Sequence, residues 1–371
     1  MLDNVISTLE NCRFCLMCRH VAPVGMVTNQ EAYTPHGMAL LVTSQQRGLA
    51  TWNAETVGIV FSEVDGGNSR THCATDQPFE EALAAVRAEL VVQGLAGTAV
   101  TQLHTHLTQW HNPYQPQLPQ SATGAGQVAL FAGDEAAYLW PETIPAVLKL
   151  LSAVGMEVVV GGYGRNNGLF AHSAGFPDLA AQLWQATLDE LASVGAKQLL
   201  LLSAGDFYAF NDRRGGFSRP VSASAKVSPP DFIEVTDLLA ERLAAGEIAF
   251  RKTEDETPWT YVDPTHAVRV PERHERVRGL VTAVMPTPPR ELFWRKERAQ
   301  PVGSTYIQFS SPALAERLTR ARLQDAQASG AQLLICEDPA TLHHLNRYAG
   351  EYGLRVQGLY ELLAQRVIGH Q

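Results

Sequence analysis

Three thiols stand within seven residues near the start of the chain, Cys12-x-x-Cys15-x-x-Cys18, in a sequence that holds five cysteines in all. Thiolates at this spacing turn inward around one iron–sulfur cube, each bonding a different iron. A zinc site more often shows paired Cys-x-x-Cys knuckles or a Cys/His mixture. A bacterial ferredoxin run reads C-x2-C-x2-C-x3-C-P. Here the fourth cysteine position is Ala22, while Pro23 is kept.

In two-cluster ferredoxins the fourth cysteine of one run ligates the other cluster. Its loss from the first run therefore removes the second cluster and spares the first. The first cluster still needs a thiolate from the end of a second run, and Cys73, in Thr71-His72-Cys73-Ala74-Thr75, is the cysteine placed to give it. The spacing predicts one [4Fe-4S] cluster on Cys12, Cys15, Cys18 and Cys73. Reduced, buried thiols or a zinc site are the competing readings of the same residues. Thiolates spaced for a metal imply a reducing compartment, the cytoplasm by default.

The elements that must hold these residues follow from periodicity. Glu81–Leu95 and Gly97–Trp110 have apolar spacing near 3.6, parted by a turn at Gly94–Gly97. Three prolines between Pro113 and Pro119 then stop helix. Beyond them short apolar runs alternate with helical ones: 127–133 strand, 144–154 helix, 157–160 strand, 177–194 helix, 197–202 strand. This alternation predicts parallel sheet flanked by helices. Ala186–Leu200 (ATLDELASVGAKQLL) and Ala321–Leu334 (ARLQDAQASGAQLL) read as two copies of a helix ending at Gly-Ala before a buried strand. The expected fold is mixed α+β and α/β. It comprises a helical ferredoxin-like iron–sulfur domain at 1–112, a linker at 113–127, and two similar α/β repeats at 128–257 and 258–371.

With these motifs in order, the chain resembles the iron–sulfur proteins that join a two-run ferredoxin domain to two cysteine-rich CCG repeats. That family includes the iron–sulfur components of glycolate oxidase, of anaerobic glycerol-3-phosphate dehydrogenase and of heterodisulfide reductase. Thr34-Pro35-His36-Gly37 looks like the family's T-P-R-G, with His36 for arginine. Tyr261-Val262-Asp263-Pro264-Thr265-His266 looks like its Y-H-D-P-C, and Leu334-Ile335-Cys336-Glu337-Asp338-Pro339 like the strand end that carries C-P-x-C. Where the repeats should carry cysteines the chain has Asp134, Gly161-Gly162, Ala204 and Thr265, and Cys336 alone survives. One thiol cannot hold a cluster, so Cys336 is expected to be buried and inert.

The resemblance implies an electron-transfer subunit of a multi-subunit oxidoreductase. It would relay single electrons from a flavoprotein dehydrogenase subunit to a second iron–sulfur subunit, another carrier or a quinone-linked acceptor. Four thiolate ligands leave no open metal position, so the chain itself is expected to be non-catalytic. The rival readings are an assembly subunit whose cluster only stabilises the fold, and a catalytic subunit using Asp134, Asp263 and His266 in the former CCG cleft. Arg13, Arg19 and His20 beside the ligands are expected to tune the cluster or meet a partner, with Val21, Pro23, Val24 and Met26 as its apolar wall.

A formal charge of -9 and a pI near 5.7 argue against a nucleic-acid surface. Apolar stretches such as 198–204 are too short to cross a bilayer, so membrane contact is expected only through partner subunits. No signal-peptide pattern is read at the N-terminus. His104, His106 and His111 do not share the i, i+4 face a metal wants, nor do His343 and His344. Gly161-Gly162-Tyr163-Gly164 is not the G-x-G-x-x-G of a nucleotide site.

Overall fold

A computed structural model describes residues 7–211 and 231–368; the stretch 212–230, within the first expected repeat, lies outside the described residues. The chain is a mixed α/β protein with parallel sheets.

From residue 7 to residue 110 the regular elements are all helical. A 3-10 turn at Met17–Val21 leads into α1 (Pro23–Thr28). There follow α2 (Pro35–Gln46), α3 (Ala54–Val60), α4 (Asn68–Thr71), α5 (Phe79–Val92) and α6 (Thr98–Trp110). Proline at the first turn of α1 and α2 is pre-set for helix and lacks only an N–H that would go unused. Asn53 and Thr56 close a reciprocal cap on α3. The apolar faces of these helices pack on one another and on residues from later in the chain. Met38, Val42, Val60, Leu83, Leu90 and Leu103 pack with Phe170, Ile307 and Leu318 from far along the chain.

From residue 128 strands and helices alternate. These are β1 (Val128–Phe131), α7 (Gly133–Tyr138), α8 (Thr143–Ala153), β2 (Val159–Gly161), α9 (Leu169–Ser173) and α10 (Pro177–Ser193). Next come β3 (Gln198–Leu201), α11 (Ala204–Phe210), β4 (Asp231–Glu234) and α12 (Val235–Ala244). The strands form one parallel sheet in the order β2-β1-β3-β4, with Ala129 opposite Val159 on one side and Leu199 on the other.

After β5 (Ala249–Phe250) a second series runs β6 (Trp259–Tyr261), α13 (Arg273–Val284), α14 (Ile307–Ser310), α15 (Pro312–Ala328) and β7 (Leu333–Cys336). It ends with α16 (Pro339–Tyr348), β8 (Arg355–Gly358), α17 (Leu359–Arg366) and β9 (Val367–Ile368). Its sheet, β6-β7-β8, is also parallel, while β5 and β9 pair antiparallel. Each of β1, α8, α10, β3, α11, β4 and α12 thus has a counterpart at the same place in the second series. Among the described residues β2 has none. The matching stretch contains Pro286, Pro288 and Pro289, which cannot donate to a ladder.

The two sheets share one core, with Leu130 and Leu200 from the first and Trp259 and Ile335 from the second. Strands covered on both faces explain the unbroken apolar runs. Polar bonds cross the same region. Tyr360 Oη donates to the Leu202 carbonyl at 2.8 Å, and buried Arg273 pairs with Glu234 at 3.2 Å and with Glu337. Among the described residues no helix is long and apolar enough to cross a membrane.

Candidate metal centre

Cys12 follows a helical turn at 7–10, its N–H donating to the Leu9 carbonyl at 3.2 Å. Between it and Cys18 the backbone passes through the left-handed region twice, at Phe14 (φ 49°) and Leu16 (φ 62°). A side chain in that region costs roughly 1–2 kcal/mol, and such strain gathers where a loop must wrap a functional site. Cys73 sits after α4, its N–H on the Arg70 carbonyl at 3.1 Å. Cys12, Cys15, Cys18 and Cys73 line one recess, walled by Leu16, Pro35 and Phe79. All four are free thiols; Cys15 is exposed and the other three are half-buried.

Donors point at the sulfurs. Cys73 Sγ accepts from the Gln77 N–H at 3.4 Å and has the Thr75 hydroxyl at 3.4 Å. Burial opposes the Cys73 thiolate, but the Thr75 hydroxyl and the Gln77 and Thr75 N–H groups outweigh it and pull the thiol below its ordinary value. Burial pushes Cys12 up, against an N–H from Phe14, and pushes Cys18 up to about 11, against an N–H from His36. Without a metal these two stay protonated at neutral pH; a metal that binds them must displace the protons.

The Thr-Pro-His-Gly turn supplies the Cys18 donor. Thr34 caps α2 by accepting from the Gly37 N–H at 3.3 Å, and His36 bonds Thr34 Oγ1 at 3.1 Å and Glu31 at 2.5 Å. Gly37 is needed for closeness, since a Cβ there would stand 2.1 Å from the Glu31 carbonyl oxygen. The expected apolar wall is different. Val21 and Val24 are buried in the fold, and Pro23 and Met26 line neighbouring hollows. Leu16, Pro35 and Phe79 take their place. Arg13 stands at the recess, Arg19 pairs with Glu31 at 3.3 Å, and His20 faces an adjacent groove beside Met26, Trp294 and Arg298.

Four free thiols around one recess are the kind of donor a cube takes, one to each iron. Among the described residues no group of three or more Cys, His, Asp or Glu side chains is placed to hold a metal ion.

Counting back from Cys73 by the ferredoxin spacing lands on Ser69, Gly66 and Glu63. These, with Ala22, are the positions that would carry a second cluster. Ala22, Glu63 and Ser69 do line a common cavity of about 20 Å³, with Glu80 from α5 also in its wall. Glu80 accepts from the Ser69 N–H at 3.2 Å and from its hydroxyl. Burial and then the Glu80 charge push the Glu63 carboxyl up to about 8, against the pull of Arg87 at 3.7 Å. The spacing alone would have located this carboxylate pair's first member.

The other singled-out residues go to separate settings. Asp134 accepts from Asn166 at 2.9 Å, whereas Asp263 is held by Arg278 at 2.7 Å and by the Lys296 N–H at 3.0 Å. His266 stacks on Tyr208, and burial pushes it down to about 4. His104 lies against Phe176, His106 against Trp110, and His111 Nδ1 is 3.1 Å from Arg165. His344 is buried beside Gln308, with His343 turned to a different, half-buried setting. Gly162 (φ 62°) closes a turn over Phe131, whose ring would lie 2.5 Å from an added Cβ. Cys336 is fully buried, and burial followed by the Glu337 and Asp338 charges pushes its thiol far up.

No protein-family profile matches the chain, and no curated protein matches it by sequence. Among solved structures it is similar to a hypothetical protein from Helicobacter pylori, with a TM-score of 0.60 and 8% identity over 98% of this chain and 75% of that one. An aspartate racemase homologue from Pyrococcus horikoshii also matches at 13% identity over 64% of this chain and 96% of the other, with a TM-score of 0.26. The first likeness is one of fold alone; the second is too slight to carry an argument.

Proposed function

We propose that this chain is the iron–sulfur electron-transfer subunit of a multi-subunit oxidoreductase, with one [4Fe-4S] cluster on Cys12, Cys15, Cys18 and Cys73. The observation that carries the reading is the meeting of these four thiols, from segments some fifty residues apart, around one recess with N–H groups aimed at three of them. N–H donors stabilise sulfur charge and set cluster potential. On this reading residues 1–112 are a ferredoxin-like domain that has kept one of two clusters. Residues 128–257 and 258–371 are CCG-like repeats stripped of their cysteines and left as scaffold.

A flavoprotein dehydrogenase delivers single electrons, and a second iron–sulfur subunit or quinone-linked carrier takes them. Membrane attachment, where it occurs, is peripheral and runs through these subunits, on the cytoplasmic side. What this chain's residues do is hold the cube, keep water off its inner side with Pro35 and Phe79, and leave the Cys15 side open to a partner. When bound, the cluster supplies one-electron storage.

Anaerobic reduction of the purified chain tests the function. A broad thiolate-to-iron absorbance that bleaches on adding dithionite and returns on reoxidation is expected. A cluster that no accessible potential reduces would favour the assembly role instead.

A further inference from the structure

On that reading, the cavity between Ala22, Glu63 and Ser69 is the seat of a second cluster that the chain has lost. Three buried oxygens around it, Glu63 Oε2, Glu80 Oε2 and Asn68 Oδ1, have no hydrogen-bond partner. A cavity of about 20 Å³ holds one water, which needs two to four polar partners. This hollow and the cluster recess share three wall residues, Pro35, Ser69 and Phe79. The carboxylate pair and the four thiols therefore lie on either side of a shared wall.

We infer that the vacated seat is a proton-binding site, made of Glu63, Glu80 and one water held by Asn68, whose proton occupancy is linked to the redox state of the neighbouring cluster. The inference rests on the cluster assignment above.

The surrounding charges require protons to sit here. Glu63 faces Glu80, Asp65 and Arg87; Glu80 faces Glu81 and Arg269. Asp65 is held in turn by Arg269 and Ser173 and faces His266 and His172, both pushed down by burial and so neutral. Tyr306 lies under Arg87 and donates to the Phe61 carbonyl at 2.9 Å. Four carboxylates therefore share two guanidinium groups in a largely buried network, where an unpaired charge is costly. The excess is relieved by carboxyl protons. The Glu63 side chain keeps 12% of its exposure, so protons can exchange with solvent.

The linked step balances. One electron from a one-electron donor enters the cluster and makes it more negative by one charge. One proton from solvent joins the carboxylate pair, so the buried region as a whole gains no net charge. In the pH range where the pair is ionised beside the oxidised cluster and protonated beside the reduced one, each tenfold fall in proton concentration lowers the midpoint potential by up to ~59 mV.

Mediated spectroelectrochemical titration of the full chain between about pH 6 and 10 tests this. The midpoint should fall with pH in the alkaline part of the range, where the pair ionises, and Glu63→Gln together with Glu80→Gln should flatten it. A reduced-minus-oxidised infrared spectrum of the unmutated protein should show a carboxylic-acid C=O band gained on reduction, which needs no variant to fold. A reducible cluster with a pH-independent potential, or a slope that survives in the double variant, overturns the proton site and leaves the cluster assignment standing. A cluster that is present but cannot be reduced overturns the proton linkage and leaves the ligand assignment standing; absence of any iron–sulfur absorbance overturns both.

Discussion

Arg269 reaches back 204 positions along the chain to hold Asp65, with its Nη2 2.5 Å from Oδ1 and its Nε 3.2 Å from the Asp65 carbonyl oxygen. Its other arm bonds Glu81 at 2.9 Å, and Asp65 also accepts from Ser173 at 2.5 Å. One buried network thereby joins the segment leading to Cys73 with both sheet-bearing halves. Removing one partner of such a pair strands a charge, at about 3–5 kcal/mol. Asp65→Ala should lower unfolding stability by that amount, read from urea midpoints at constant m. Replacing Asp65 and Arg269 together with apolar residues should cost less than the single change. A single-variant loss below about 1 kcal/mol would show that the network is not what ties these segments.

Gly37 leaves no room for a side chain at the turn beside Cys18. Gly37→Ala puts a methyl group into the Glu31 carbonyl and must push the start of α2 away from Cys18. The expected cost is about 1–3 kcal/mol from overpacking, with faster loss of iron to a chelator because the His36 N–H is displaced from Cys18. Unchanged chelation kinetics would separate the turn from the sulfur it faces.

His344 gives a pH signature independent of the metal. Burial and then the neighbouring His343 hold its imidazole down to about 3 in the folded chain, against about 6.5 when unfolded. Between these values the unfolded state binds the extra proton. This contribution is therefore complete above about pH 6.5 and is lost as pH falls toward 3, at up to ~1.4 kcal/mol per pH unit. The raised carboxyls run the other way, since Glu63 near 8 and Asp134 near 7 favour the folded chain on the acid side of those values. His344→Gln should flatten the acid limb of urea midpoints measured between pH 4 and 7. An unaltered limb would place the acid sensitivity elsewhere.

What the sequence made legible was local. Periodicity located α5, α6, α8, α10 and β3 to within two or three residues, because apolar spacing and glycine stops are written in the chain itself. The doubled element order was visible in ATLDELASVGAKQLL and ARLQDAQASGAQLL, which end in β3 and β7. What it could not give was long-range placement. The wall of the recess comes from Leu16, Pro35 and Phe79 rather than Val21 to Met26, because Val21 and Val24 are packed into the buried interior instead. Asp134, Asp263 and His266 all follow the ends of equivalent strands, β1 and β6, yet Asn166, Arg278 and Tyr208 claim them one by one. Those partners lie many residues away, and no local pattern names them.

Metal and sulfide analysis of the anaerobically purified chain beside its Cys73→Ser variant bears most directly on the central claim. Four irons and four acid-labile sulfides per chain are expected, with both lost or sharply lowered in the variant. Zinc in place of iron, or a variant that keeps its full iron and sulfide, would contradict the account.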